Sequence, residues 1–386
     1  MRKKILFIIP SLTGGGAEKV LIDILQNMDY SLYEVTLCVK WRTGPYLKDI
    51  PSKVTLCSVH GNNNLKFEKA WNFFKKIHFF YVLRKLSLYG IFHSLFYKSV
   101  FRALLKDDEF DTVISFMEGE SVKFHSYIMD KAPRHISWIH TDLKKNHWSL
   151  DFFFSCRKEF EAYRQMTKII CVSEDARRSF ISLYPRLTNN AEVVYNPIDR
   201  SKIIRDSVVE NVTKRKFTIC MVGRLNEQKR YDRALEVVRK LKDYKYDIEL
   251  WVLGEGEMSS ILKQTVKDLH IEDMVVFLGF RKSPYSYMKS ADLYLNTSDA
   301  EGFSLALCEA FCLGIPAVCT KTTGPKELIG QSGGGLLTEN DADSIFCAIQ
   351  QMIDDKTLRN ECAMKALSYS ERFDIANTMQ QIYQII

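Results

Sequence analysis

Short apolar runs rich in β-branched residues recur along the chain, and longer segments of mixed polarity separate most of them. Such runs are typical of buried strands, and the segments between them can carry helices, so the pattern predicts parallel βαβ units. The predicted strands of the first series are residues 5–9, 34–39, 53–59, 111–116, 135–139, 169–172 and 192–195.

A second series of strands follows a polar stretch, residues 199–216, which we interpret as a linker. The predicted strands of this series are residues 217–222, 248–253, 275–278, 293–296 and 317–319. The sequence therefore predicts an α/β protein of two doubly wound, Rossmann-like domains, residues 1–200 and 201–386. Ligands bind beyond the carboxyl ends of strands in open sheets, so we expect the site in a cleft across which the two domains face each other.

Length and cysteine usage bound the class of protein. The chain has 386 residues, more than one core usually serves, and its ten cysteines show no zinc-type spacing, which favours free thiols in a reducing compartment. The first apolar run is too short for a signal peptide, and no stretch approaches the roughly 20 apolar residues that span a bilayer. We therefore expect a cytoplasmic protein, with any membrane contact peripheral.

Charge is concentrated in one segment. The chain has a net charge of +7, yet residues 66–106 alone hold nine basic residues and one acid, a net +8. The longer segment 61–106 is also rich in Trp, Phe and Tyr, a mixture that suits an interfacial surface on anionic lipid at the inner face of the plasma membrane. Two other interpretations stay open: a buried helical pair with its lysines in solvent, and a platform for single-stranded nucleic acid.

The stretch SDAEGFSLALCEAFCLGIP, residues 298–316, carries two glutamates around a predicted helix start. The free N-terminus of a helix offers unpaired amides and a positive dipole end to a phosphate. Glu301 lies before that terminus and Glu309 about two turns inside it, so one ligand can offer hydroxyls to both carboxylates and phosphates to the amides. A nucleotide sugar has these groups.

Three other loops follow predicted strands. Gly14, Gly15 and Gly16 precede a helix that starts near residue 17, and their lack of side chains permits close approach of a phosphate or sugar. An ordinary tight turn is the alternative. In the loop GRLNEQK, Arg224 and Lys229 are placed to neutralise a diphosphate, although a solvated basic loop would look the same.

His140 ends a predicted strand, where a histidine can bind a sugar hydroxyl or a phosphate in either protonation state. The sequence Asp341-Ala342-Asp343 has the DxD pattern of some metal sites, but it precedes a predicted helix at residue 344. We interpret it as a helix cap, so neither a metal ion nor another cofactor is implied.

The motifs GGGAEK (14–19), GRLNEQK (223–229) and SDAEGFSLALCEAFCLGIPAVCT (298–320), followed by TGPKELI (323–329), resemble retaining glycosyltransferase family 4, whose architecture is GT-B. The E-x7-E pair, Glu301 and Glu309, is the hallmark of that family. The resemblance runs over nearly the whole chain and is specific for the family but not for a sugar.

The resemblance also implies a role for each site residue. Glu309 would hold the ribose and Glu301 the hydroxyls of the donor sugar, while His140 would lie beside the reacting centre. The residues implied in holding the diphosphate or closing over the donor are Arg224, Lys229, the backbone amides of Phe303, Ser304 and Leu305, and the loop at Gly15 and Gly16.

The implied activity is retaining, metal-independent transfer of a sugar from a UDP- or GDP-sugar to a lipid-linked or surface-glycan acceptor, as in bacterial capsule, O-antigen or exopolysaccharide synthesis. The implied partners are that donor, that acceptor and an anionic membrane surface at residues 66–106, with no nucleic acid. A nucleic-acid-binding protein and a sugar-nucleotide epimerase on the same fold are the alternatives.

Overall fold

The computed structural model describes residues 1–60, 89–153 and 155–386, and for residues 89–94 it describes only the backbone. Contacts divide the chain into two compact units. The first comprises residues 1–172, 177–194 and 379–386, and the second comprises residues 173–176 and 195–378.

The first unit is built on a parallel sheet of seven strands in the order β3-β2-β1-β4-β5-β6-β7. Its strands are β1 (Lys3–Ile9), β2 (Tyr33–Trp41), β3 (Thr55–His60), β4 (Thr112–Ser115), β5 (Arg134–Ile139), β6 (Lys168–Cys171) and β7 (Ala191–Val193). Strand β1 pairs with both β2 and β4, so the strand order reverses beside it.

The second unit repeats this plan with six parallel strands in the order β10-β9-β8-β11-β12-β13. Its strands are β8 (Phe217–Val222), β9 (Ile248–Leu253), β10 (Val275–Gly279), β11 (Leu293–Asn296), β12 (Ala317–Thr320) and β13 (Gly335–Thr338). The order reverses beside β8, which pairs with β9 and β11. Every predicted strand is present, with ends that differ by at most two residues, and the two Rossmann-like α/β units are confirmed.

Helices connect the strands. They are α1 (Gly16–Gln26), α2 (Tyr89–Leu104), α3 (Glu120–His125), α4 (Leu150–Phe153), α5 (Cys156–Tyr163), α6 (Glu174–Leu183), α7 (Arg200–Asp206), α8 (Tyr231–Asp243), α9 (Ser259–Asp268), α10 (Tyr285–Ser290), α11 (Leu305–Cys312), α12 (Thr323–Ser332), α13 (Ala342–Asp354), α14 (Lys356–Ser370) and α15 (Ile375–Ile385). Short 3-10 turns occur at Pro45–Asp49, Pro185–Asn190, Glu227–Lys229 and Glu371–Phe373. In the part of the chain that the structure describes, no helix is both long and apolar enough to cross a bilayer.

The linker predicted at residues 199–216 is wrong in its first half, because helix α7 begins there. The Asp199 side chain caps that helix by accepting a hydrogen bond from the Lys202 amide at 2.8 Å, and Ile203 is buried. The Asp206 carbonyl accepts a further hydrogen bond from Ser286, which ties α7 to α10. A cap, one buried apolar residue and a tie to α10 thus hold a helix in a stretch that looks polar.

The basic aromatic segment is described only from its later part. Tyr97 and Phe101 on α2 are buried in the core of the first unit, whereas Lys98 and Arg102 on the same helix are exposed. These two rings therefore belong to the core and not to an interfacial surface. The rest of the predicted membrane segment, residues 61–94, lies outside the residues whose side chains are described.

Candidate active site

The predicted donor residues of the second unit lie on neighbouring loops. The loop after β8 carries Arg224 and Lys229, and the loop after β11 carries Glu301. Because β8 and β11 are adjacent parallel strands, both loops leave the sheet at the same edge. The Lys229 Nζ lies 2.5 Å from the Glu301 Oε1, so the structure joins in one ion pair two residues that the sequence assigns to different parts of a ligand.

Glu301 is almost buried, with 9% of its side chain exposed. Three donors converge on its Oε1: Lys229 Nζ, Ser298 Oγ at 2.8 Å and Asn296 Nδ2 at 3.1 Å. No side chain in the described ranges bonds to Oε2. Burial would raise the pKa of Glu301, but the Lys229 charge and these hydrogen bonds outweigh burial and hold the pKa below its ordinary value. The carboxylate is therefore ionised at neutral pH and has one oxygen available.

A network of side chains that the sequence did not single out braces the two loops. The Gln228 side-chain amide donates to the Ala300 carbonyl at 2.7 Å, and the Gln228 backbone carbonyl accepts from the Asp299 amide at 2.9 Å. Arg233, buried on α8, donates to the Thr297 carbonyl at 2.7 Å and pairs with Asp299 at 2.9 Å. In the sequence, the one signal that could have revealed this brace is an arginine beside the apolar positions of residues 231–241.

Helix α11 begins at Leu305, four residues after Glu301. Its N-cap residue, Ser304, has a left-handed backbone (φ 62°) and makes no side-chain hydrogen bond to the first turn. The Ser304 Oγ instead lies 3.3 Å from the Asn296 Nδ2, from which it accepts a hydrogen bond. The predicted anion site at the amides of Phe303, Ser304 and Leu305 thus coincides with a helix start that has no side-chain cap.

Glu309 lies in the second turn of α11, and it is 5% exposed. The Tyr285 hydroxyl at the start of α10 donates to its Oε1 at 3.1 Å. Tyr285 is itself buried and was not predicted as a site residue. The two glutamates are thus fixed by different neighbours, one by a lysine and an asparagine and the other by a tyrosine.

Arg224 differs from Lys229 in having no side-chain partner among the residues that the structure describes, and it is exposed. Its loop is held in place by backbone contacts. The Leu225 amide donates to the Glu255 carbonyl at 3.0 Å, and a Cβ atom on Gly256 would lie 2.3 Å from the Leu225 carbonyl oxygen. Only glycine at residue 256 lets the loop after β9 approach the Arg224 loop so closely.

In the first unit, His140 directly follows β5, as predicted. Its backbone amide donates to the buried Glu118 at 2.9 Å, and Glu118 also accepts from the Thr141 hydroxyl at 2.6 Å. Burial lowers the pKa of His140 to about 3, opposed by a hydrogen bond to the Phe116 carbonyl. The imidazole is therefore neutral, and its Nε2 is buried without a partner in the described part of the chain. That nitrogen is placed to accept a hydrogen bond.

The glycine loop precedes α1, with Gly14 in the left-handed region (φ 105°) and Gly15 as the N-cap. A Cβ atom on Gly15 would lie 2.2 Å from the Glu18 carboxylate, so this glycine gives room to a side chain of its own helix. Gly16 is the first helical residue. The sequence analysis assigned no role to Glu18, although its place in the first turn favours a carboxylate.

The DxD sequence is a cap, as predicted. Asp341 is the N-cap of α13 and accepts from the Ser344 amide at 2.7 Å, while Asp343 forms an ion pair with Lys240.

Two family models match successive parts of the chain. Residues 14–202 match the model described as Glycosyltransferase Family 4, and residues 203–368 match the model described as Glycosyl transferases group 1.

One curated relative is the N-acetylgalactosamine-N,N'-diacetylbacillosaminyl-diphospho-undecaprenol 4-alpha-N-acetylgalactosaminyltransferase of Campylobacter jejuni. The chain is 34% identical to it over 203 residues, which are 52% of this chain and 53% of that protein. The chain thus spans about half the length of that relative. It is also 24% identical to an uncharacterized glycosyltransferase of Haemophilus influenzae over 98% of both chains.

A solved structure of Anabaena HepE in complex with UDP-glucose superimposes with a TM-score of 0.73 over 99% of both chains, at 22% identity. This likeness concerns the fold. The fold is GT-B, and the two family models, which together extend from residue 14 to residue 368, identify the chain as a member of the family 4 glycosyltransferases.

Proposed function

We propose that this protein transfers a sugar, with retention of configuration and without a metal ion, from a UDP- or GDP-sugar to a lipid-linked or surface-glycan acceptor in capsule, O-antigen or exopolysaccharide biosynthesis. The observation that carries the proposal is the pairing of Lys229 with the ionised Glu301 beside the uncapped start of α11. One small region thereby offers a cation and amides to phosphate and a free carboxylate oxygen to sugar hydroxyls.

In this proposal the donor lies along the loops after β8 and β11. Arg224 and Lys229 bind the diphosphate. Arg224 has no partner among the described side chains, and the Lys229 ammonium has three N–H groups, of which one bonds to Glu301. Glu301 accepts from hydroxyls of the sugar through Oε2, and Glu309 accepts from the ribose. The Gly15-Gly16 loop and the acceptor nitrogen of His140, both in the first unit, are the remaining groups that we assign to donor recognition.

The chemical step exchanges one bond at the anomeric carbon for another on the same face of the sugar. The bond to the diphosphate oxygen breaks, the bond to the acceptor oxygen forms, and the acceptor proton passes to the departing phosphate. Arg224 and Lys229 stabilise the charge that develops on that phosphate, and the pre-placed Glu301 orients the sugar. No carboxylate is assigned as a nucleophile.

An acceptor on a lipid diphosphate is supported by the name of the Campylobacter relative, which specifies a diphospho-undecaprenol acceptor. Because that relative is matched over about half of its length, the acceptor is part of the proposal. We place the reaction at the cytoplasmic face of the membrane as part of the same proposal.

The direct test is a panel of UDP- and GDP-sugars incubated with the protein and a polyprenyl-diphosphate-linked glycan, scored for release of nucleoside diphosphate. We expect acceptor-dependent release with one donor, a product whose anomeric configuration by NMR matches that of the donor, and the same rate in EDTA. Folded protein that releases nothing from any donor would contradict the proposed transfer, and an inverted product would contradict retention.

The role of Arg224 can be tested with a control on the same strand. Arg224 follows the carboxyl end of β8, whereas Arg215 precedes its amino end, and both are exposed. We expect Arg224→Ala to lower kcat/KM for the donor by about 10- to 100-fold, the usual cost of a hydrogen bond to a charged group, and to change stability by less than about 0.5 kcal/mol. Arg215→Ala should leave both quantities unchanged. Equal kcat/KM in the two variants would remove Arg224 from the diphosphate site.

A further inference from the structure

Asn296, the last residue of β11, lies between the two parts of the proposed donor site. It is 5% exposed, and its side chain uses both ends of the amide. The Nδ2 group donates to Glu301 Oε1 at 3.1 Å and to Ser304 Oγ at 3.3 Å, while Oδ1 accepts from the Ser298 amide at 2.9 Å. One side chain therefore contacts the carboxylate, the helix start and the loop between them.

These contacts have two separate consequences. The bond to Glu301 occupies Oε1 and so leaves Oε2 for a ligand. The bond to Ser304 ties the first residue of the α11 start to the end of β11; the left-handed backbone of Ser304 already keeps its hydroxyl from capping the first turn, so the bond fixes where the free amides lie. Lys229 and Ser298 also bond to Oε1, but neither has a hydrogen bond to Ser304 among those that the structure describes.

We propose that Asn296 is a positioning residue that prepares both halves of the donor site, the free oxygen of Glu301 for the sugar and the uncapped start of α11 for the diphosphate. This inference rests on the proposed function. It assigns to Asn296 no contact with the donor, so its effect passes through Glu301 and Ser304. Asn296 must both donate to Glu301 and Ser304 and accept from the Ser298 amide, which requires an amide. An ionised carboxylate cannot donate, and an aliphatic side chain can neither donate nor accept.

The test uses Asn296→Ala, Asn296→Asp and, as a control, Thr218→Val. Thr218 is fully buried at the amino end of the same sheet, and its hydroxyl donates to the Lys216 carbonyl at 3.0 Å. The control therefore removes a buried hydrogen bond far along the strand direction from the site loops. Turnover is measured from pH 6 to 8, and the Kd for the nucleoside diphosphate is measured by calorimetry.

We expect Asn296→Ala to lower kcat/KM about 10- to 100-fold at every pH, because the three hydrogen bonds of the Asn296 side chain are lost, and to weaken nucleoside diphosphate binding. In Asn296→Asp two carboxylates adjoin, so one binds a proton more readily. As pH falls that proton restores a donor to Glu301, and the activity of this variant relative to the wild type should rise.

Other titratable groups near Glu301 do not produce this signature. Lys229 is present in all variants, and burial raises the pKa of Tyr231, Tyr294 and Cys319, which therefore stay neutral between pH 6 and 8. The Thr218→Val control should lose thermal stability without a change in Kd or in the shape of the pH profile.

Several outcomes would overturn the inference. They are an Asn296→Asp profile parallel to that of the wild type, wild-type Kd and kcat/KM in a folded Asn296→Ala, or the same signature in Thr218→Val. If Asn296→Ala does not fold, Ser304→Ala tests the second link, and an unchanged Kd for the nucleoside diphosphate in that variant would contradict it. A wild-type protein that binds donor but never transfers sugar would refute the proposed function alone, because the Kd still tests Asn296.

Discussion

The ion pair with Lys229 decides the charge of Glu301. The carboxylate is almost buried, and burial alone favours its protonated form. Lys229 supplies the charge that reverses this preference. Within the proposed mechanism the lysine thus has two tasks, to bind the diphosphate and to keep Glu301 ionised as a hydrogen-bond acceptor.

Lys229→Met separates these two tasks by their pH dependence. Loss of the phosphate contact should lower kcat by about 100- to 1,000-fold at all pH values. Loss of the counter-charge should let burial raise the pKa of Glu301, so the acid limb of the pH–kcat/KM profile should move to higher pH. The profile is measured with the donor that the panel identifies.

Lys216→Met is the matched control, since Lys216 pairs with Asp247 at 2.9 Å beside the amino end of β8. Its profile should coincide with that of the wild type. If the acid limb of the Lys229→Met profile did not move, the ionisation of Glu301 would not depend on Lys229. Diphosphate binding would then be the only role left for this lysine.

Among the residues of the candidate site, the sequence singled out charged side chains in loops and missed polar side chains within a strand or a helix. Arg224 and Lys229 were recognisable because they lie in a short basic loop after a predicted strand, and Glu301 because it precedes a predicted helix start. Asn296 and Tyr285 were not, because each is part of an apolar or helical stretch where its side chain has no visible function. Their roles depend on a neighbour that only the folded chain brings near.

At the scale of elements, the start of α12 packs against the backbone that carries Glu301. The Gly324 amide lies 3.4 Å from the Glu301 carbonyl, to which it donates. A Cβ atom on Gly324 would be 2.6 Å from the Phe303 carbonyl carbon and 2.7 Å from its Cα. Because Gly324 has no side chain, α12 can pack directly against the residues that precede α11.

Gly324→Ala should push the 301–304 loop away from α12. We expect a loss of about 1–3 kcal/mol in the free energy of unfolding, the usual cost of overpacking, together with weaker donor binding. Gly330 provides a control in the same helix, because a Cβ atom there meets nothing within 4 Å. Gly330→Ala should stabilise the protein by about 0.5–1 kcal/mol and leave donor binding intact.

Thermal unfolding and calorimetric binding of the nucleoside diphosphate would measure both effects. A Gly324→Ala protein with wild-type stability and affinity would show that the loop relaxes without cost, and the fixed approach of the two helices would then not matter for the site.

The sequence predicted most elements because their cues are local. Runs of β-branched residues marked the strands, and Asp341 before a helical pattern marked the start of α13. The linker prediction failed at α7 for the converse reason. Its helix depends on a cap at Asp199 and on the burial of Ile203, and burial of a single apolar residue leaves no periodic pattern to read.

At the scale of the whole molecule, the uneven charge is the property that bears on where the protein works. With +7 in total and +8 in residues 66–106, the rest of the chain carries a net −1. Attraction to an anionic surface would therefore come from this one segment. Of its described cations on α2, Lys98 is exposed and Arg102 is exposed but pairs with Asp130, whereas Tyr97 and Phe101 are buried in the core and so add no apolar contact with a membrane.

We therefore expect the protein to co-sediment with vesicles that contain phosphatidylglycerol and not with pure phosphatidylcholine vesicles. Raising the salt concentration should release it, because screening weakens the attraction between cations and anionic lipid. Substituting Lys75, Lys76, Arg84 and Lys85 together by Gln removes four of the nine cations and should abolish binding at low salt, since each contributes roughly 1 kcal/mol near such a surface. Transfer to a water-soluble acceptor should be unaffected, which separates membrane attachment from catalysis. Binding that resists high salt, or that survives in the substituted protein, would mean that apolar contacts or another surface attach the protein to the bilayer.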